Sequence, residues 1–135
     1  MHEKTNGTEL PSVMALAYLG DAVYSLYVRR MLVARGISKS SELNAEAKKY
    51  VAAQAQAKMM LKIQGELLDD EADVCRRAQN STHLNKPKHA RLFEYRMATG
   101  FEALLGMLEW LGDSERLEYL LKIAHMEIDT NDTEN

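Results

Sequence analysis

The chain has 135 residues, room for one domain that buries roughly two thirds of its unfolded surface without a metal or disulfide staple. Hydrophobic residues at 46% and charged ones at 27% exclude wholesale disorder, and a single cysteine, Cys75, excludes an intrachain disulfide and a cysteine-based zinc cluster. A formal net charge of -3, from 17 Lys+Arg against 20 Asp+Glu, argues as a total against a phosphate-rich partner. In chain order, Ser12 after Pro11 predicts the cap of a first helix that runs to Ala34 or Arg35 before Gly36. Leu16, Leu19, Val23, Leu26 and Tyr27 lie around one side of it. A second helix is predicted from a Ser40 or Ser41 cap, through the Ala/Gln/Met-rich VAAQAQAKMMLKI, to near Gln64. A third spans Asp69 to Ala78, with its acids at the N-terminal end and Arg76 and Arg77 at the other, as the helix dipole favours. QNSTHLNKPK has the composition of a surface loop. A long helix follows from about His89 to Leu111. The last starts from Asp113 or Ser114 and carries the stripe Leu117, Leu120, Leu121 and Ala124. The fold class is therefore all-α. One domain covers residues 11–128, after a short N-terminal segment, 1–10, and before an acidic, disordered tail, 129–135. No apolar run approaches the ~18 residues of a membrane span. MHEKTNGTE lacks the start of a signal peptide, so a cytoplasmic location is expected.

Two acids stand where a helix core calls for apolar residues. Asp21 interrupts ALAYLGDAVYSLYV directly after Gly20, and Glu102 stands between Phe101 and Ala103 in ATGFEALLGML. A carboxylate in a helix core is costly unless something pairs with it. Gly20, Gly100 and Gly106 are each roughly 1 kcal/mol worse than Ala inside a helix, so they mark places where a backbone or a ligand comes close. Facing carboxylates on adjacent helices suit one hard divalent cation, Mg²⁺, with several waters retained. By composition alone, solvent exposure or pairing with a Lys or Arg is the better account of each acid, since lone Asp and Glu in helices are common.

The wording of the two segments separates these readings. AYLGDAVYSLYV resembles the signature helix of ribonuclease III, and GFEALLGMLEWLG resembles the second acidic helix of that family, about 80 residues on. The similarity runs from roughly Pro11 to Ile128. YRMATGFEALLG and RRAQN are closest to the Mini-ribonuclease III branch, which consists of the catalytic domain without a double-stranded-RNA-binding domain. The resemblance implies an all-α ribonuclease III endonuclease domain that works as a homodimer. It implies Mg²⁺-dependent hydrolysis of double-stranded RNA to 5′-phosphate and 3′-hydroxyl ends. It further implies maturation of precursor 23S ribosomal RNA. Without an RNA-binding domain the intrinsic affinity is expected to be modest, so a ribosomal protein or the folded precursor is expected to present the substrate. Asp21 and Glu102 match family acids and become the expected catalytic and metal-binding residues. Two further family acids are replaced: the Glu four residues before Asp21 is Ala17, and the Asp three residues before Glu102 is Thr99. Thr99 is expected to act only through a water, and the Mg²⁺ requirement is expected to exceed that of a four-acid enzyme. The alternative is an RNA-binding or ribosome-associated protein that keeps the fold without the activity.

Charge distribution reopens the RNA question. Asp129, Asp132 and Glu134 carry -3, so the rest of the chain is formally neutral. Between Val74 and Phe93 there is no acid, while Arg76, Arg77, Lys86, Lys88 and Arg91 sum to +5. These five are the expected RNA contacts, since A-form duplexes are read largely through phosphates and shape. His83 and His89 have no companion ligand and do not make a zinc site. The Ala- and Met-rich helix is either core or dimer seam.

Overall fold

The computed structural model describes residues 9–81 and 91–134, with side chains up to Met126 in the last helix. Six α-helices make up the described chain, and no strand occurs among the described residues. They are α1 (Val13–Ala34), α2 (Ser40–Val51), α3 (Ala53–Ile63), α4 (Asp69–Asn80), α5 (Leu92–Trp110) and α6 (Ser114–Glu134), with a 3₁₀ turn at Gln64–Glu66. The all-α expectation holds.

Local chemistry explains the ends of the first and last helices. Ser12 caps α1 as predicted, its hydroxyl accepting from the Ala15 N–H at 3.1 Å. Gly36 ends the segment at φ +90°, a conformation that glycine adopts freely. Asp113 Oδ1 accepts from the Arg116 N–H at 3.1 Å and caps α6. The α6 backbone continues to Glu134, into the stretch that composition suggests is a loose tail.

The second predicted helix is two. At Ala52 the backbone turns to φ -63°, ψ 149°, which separates α2 from α3 within a segment of high helix propensity. Neither Ser40 nor Ser41 caps α2, because Lys39 is the N-cap and makes no side-chain cap bond. Tertiary packing overrides propensity here. Ala57, Met59, Met60 and Ile63 of α3 are buried in the core, so the Ala/Met-rich face is intramolecular.

The core is organised around α5. From Met97 to Leu108 its residues are buried, with Glu102 the one exception. A helix apolar on every side belongs at a centre. Around it pack α1, α3, α4 and α6, with α1 making the largest contact. That contact redraws the face predicted for α1. Its buried residues are Leu16, Ala17, Gly20, Tyr24, Val28 and Leu32, one stripe at four-residue spacing. Leu19, Val23, Leu26 and Tyr27 instead line an open groove with Leu117 and Leu121 of α6. Helix α1 thus has two apolar faces, and periodicity alone does not choose between them.

One buried ion pair ties α4 to α6. Glu71 is fully buried and takes Arg116 in a two-bond fork, Nε to Oε2 and Nη2 to Oε1, both at 2.8 Å. Glu71 Oε1 also accepts from the Leu68 N–H at 2.9 Å, which caps α4. The DDEAD acids, legible only as dipole partners, include this structural anchor.

Candidate active site

Helices α1 and α5 cross in opposite directions, backbone against backbone. A Cβ on Gly20 would lie 1.6 Å from the Glu102 carbonyl oxygen, and one on Gly106 would lie 1.8 Å from the Leu16 carbonyl oxygen. No side chain fits at either position. The interior glycines therefore do what their cost in helix propensity suggests: they admit a neighbouring backbone. Gly100 does the same for α4, where a Cβ would meet Gln79 Nε2 at 2.8 Å and the Cys75 carbonyl at 3.1 Å. Because Asp21 follows Gly20 and Gly20 touches Glu102, the crossing delivers the two predicted acids to one spot.

Their environments differ. Asp21 is exposed, whereas Glu102 is half-buried within the most buried stretch of the chain. Burial, and then the charge of Asp21, push the Glu102 carboxyl up from 4.5 to about 8. A hydrogen bond with Asp21 pushes in the same direction. The amide of Gln56, in α3, is the neighbour that favours the charged form of Glu102. Gln56 is 2% exposed and donates from Nε2 to the Val51 carbonyl at 3.0 Å. It carries no signal in the sequence beyond its place in an Ala/Gln/Met-rich helix.

The positions of the replaced family acids are closed. Ala17 and Thr99 are both buried, and the Thr99 hydroxyl donates to the Tyr95 carbonyl at 2.9 Å within its own helix. Only acceptor capacity is left on Thr99 for a water. Among the described residues, no group of three or more His, Cys, Asp or Glu is placed to hold a metal. Two adjacent carboxylates that resist joint ionisation still suit a hard divalent cation, which needs one or two protein carboxylates and keeps the rest of its shell as water.

The predicted RNA contacts are partly located. Arg76 and Arg77 are exposed on α4, and both pair with Asp73, at 2.5 and 2.9 Å. Asp73 lies just outside the acid-free stretch and offsets one of its five charges. Arg91 is exposed at the N-cap of α5, about 16 Å along the helix axis from Glu102 at 1.5 Å per residue. Lys86 and Lys88, like His83 and His89, lie outside the described residues. Cys75 is buried, and burial together with the charge of Glu71 pushes its thiol up to about 12, as suits a structural thiol.

A family model, the ribonuclease III domain, matches residues 14–113, a span that includes both acids. The chain belongs to the ribonuclease III family. Its relatives place it in the branch of ribonuclease III proteins called Mini-ribonuclease 3. It is 44% identical over 110 residues to Mini-ribonuclease 3 of Streptococcus pneumoniae, covering 80% of this chain and 86% of that one. Against Mini-ribonuclease 3 of Thermoanaerobacter sp. it is 43% identical over 113 residues, covering 84% and 80%. A crystal structure of a Fusobacterium nucleatum protein superposes with a TM-score of 0.77 at 30% identity, over 84% of this chain and 87% of that one. Ribonuclease III membership makes the chain a ribonuclease and accords with its all-α architecture.

Proposed function

We propose that this ribonuclease is a Mg²⁺-dependent endoribonuclease that hydrolyses double-stranded RNA, leaving 5′-phosphate and 3′-hydroxyl ends, with precursor 23S ribosomal RNA as its cytoplasmic substrate. One observation carries the reading. The Gly20–Gly106 crossing forces two acids together, and the neighbours that govern the proton of Glu102 are another acid and a neutral amide, not a cation. Asp21 and Glu102 would hold the ion. A bound Mg²⁺ would supply charge neutralisation at the phosphodiester and a lowered pKa for the attacking water. The chain's own part is to hold the two carboxylates adjacent, on helices whose approach no side chain can loosen, and a bound cation would offset what opposes their joint ionisation. With Ala17 and Thr99 in place of acids, a bound ion would keep more water and bind more weakly than in a four-acid site.

Arg76, Arg77, Lys86, Lys88 and Arg91 supply the phosphate contacts in this reading. The homodimer expectation is supported by the groove between α1 and α6, about 620 Å³ and lined by Leu19, Val23, Leu26, Tyr27, Leu117 and Leu121. Among the described residues no helix is long and apolar enough to cross a membrane. The test is a gel of duplex RNA incubated with the purified protein, with and without Mg²⁺. Metal-dependent cuts are the expected outcome. A mobility shift without cuts would instead make this an RNA-binding protein, and neither would remove RNA from the reading.

A further inference from the structure

Gln56 makes little sense as a core residue. It is 2% exposed, and its Oε1 is buried with no hydrogen-bond partner. Its neighbours along α3, Ala57, Met59 and Met60, fill the core with apolar atoms. A methionine of the same length would pack there without stranding an oxygen, and a buried polar atom left without a partner is destabilising.

What Gln56 does hold is specific. The break at Ala52 takes the Val51 carbonyl out of the helical ladder, and Gln56 Nε2 donates to it at 3.0 Å. That bond fixes which way the amide faces. Turned over, Oε1 would oppose the Val51 carbonyl oxygen, acceptor against acceptor. With one N–H on Val51, the other is left to face the Glu102 carboxylate, whose charged form the amide favours. The α2–α3 break, unexpected in so strongly helical a segment, thus aims an amide at the acid on α5.

We propose that Gln56 is a positioning residue: pinned by the Val51 carbonyl at the α2–α3 break, its amide fixes the Glu102 carboxylate in the orientation that, with Asp21, receives the divalent cation. This rests on the reading of Asp21 and Glu102 as the metal-binding pair. It extends that pair to a neutral residue on a third helix, which sets the carboxylate without touching substrate or metal.

Gln56→Met is the test, read in full-length protein by Mn²⁺ titration calorimetry and by steady-state cleavage of duplex RNA across a Mg²⁺ series. Mn²⁺ affinity should fall several-fold and half-saturating Mg²⁺ should rise by a similar factor. kcat should fall about tenfold or more at fixed Mg²⁺, while KM for the duplex and the thermal midpoint stay within error. In a Glu102→Gln background, Gln56→Met should leave the residual Mn²⁺ affinity unchanged, because it acts through the acid already removed. If Gln56→Met fails to fold, Gln56→Asn replaces it. That variant keeps an amide near the break but is one methylene too short to serve both acceptors, and it carries the same expectations. Unchanged metal affinity in the folded variant, or a further loss in the Glu102→Gln background, overturns the proposal. If Asp21→Asn and Glu102→Gln leave Mn²⁺ binding and cleavage intact, the metal-pair reading fails instead. If they sharply weaken both while Gln56→Met changes neither, only the role of Gln56 is lost.

Discussion

Glu71 and Glu102 both leave water in this fold, on opposite terms. Glu71 is fully buried and meets a guanidinium in a two-bond fork, with a helix N–H as a third partner. Glu102 is half-buried and meets Asp21, whose charge adds to burial in opposing its ionisation. An acid matched to a cation is a fastening, because its desolvation is offset within the protein. An acid set against an acid leaves the offset to something from outside, and on the proposed reading that is the cation. The two also differ in how their neighbours were chosen. Arg116 reaches Glu71 with a long side chain, whereas Asp21 reaches Glu102 because two glycines let the backbones touch.

The comparison breaks most visibly in activity. Asp21→Asn and Glu102→Gln should each reduce duplex cleavage to background with an unchanged helical circular dichroism signal. A near wild-type rate in either would place the chemistry elsewhere. Arg116→Ala should do the converse. It strands a buried charge and should cost about 3–5 kcal/mol of stability in a denaturant melt. Per folded molecule it should leave cleavage intact at a temperature where the variant remains native.

Gly20→Ala probes the crossing that creates the site. Its Cβ would fall on the Glu102 carbonyl, so α1 and α5 must part. The expected loss is about 1–3 kcal/mol or more, accompanied by a rise in half-saturating Mg²⁺ as the carboxylates separate. A stability loss with an unchanged metal requirement would show that the pair does not depend on that approach.

A smaller effect tests the sign of the electrostatics. Without divalent ions, folded Glu102 holds a proton up to about pH 8, while the unfolded chain releases it near 4.5. The folded state therefore binds more protons in that window. The stabilisation is complete below about pH 4.5 and is lost as pH rises toward 8. Thermal melts in chelator should show this decline, Glu102→Gln should flatten it, and saturating Mg²⁺ should oppose it. The slightest change is expected from Lys86→Ala with Lys88→Ala. Binding of duplex RNA should lose about one unit of salt slope per phosphate contact removed. An equal slope would take both lysines out of the interface.

Much of this architecture is legible along the chain. Local chemistry marks both ends of α1 and the start of α6, since a serine or aspartate side chain finds a free N–H and glycine tolerates positive φ. The interior glycines stand out because each is costly in a helix, and the close crossing of α1 and α5 is the reason they are there. Both acids stand out from apolar runs, although only Glu102 is withdrawn from water and Asp21 is exposed. Other features have no local signal. The break at Ala52 lies in a run of good helix formers and exists because packing on α5 outweighs propensity. Gln56 is anonymous until Val51 and Glu102 stand beside it, and Glu71 is one acid of several until Arg116 arrives from α6.

The sequence by itself determined the all-helical class and the ends of several helices, and it singled out Asp21 and Glu102 from their apolar runs, because each of those depends on residues within a turn or two of one another. Only the tertiary structure decided which apolar face of α1 is core and which is groove. It alone decided which buried acid meets a guanidinium, and which meets another acid and an amide. Those outcomes depend on the partners that a packed helix meets across space, and spacing along one chain segment does not contain them.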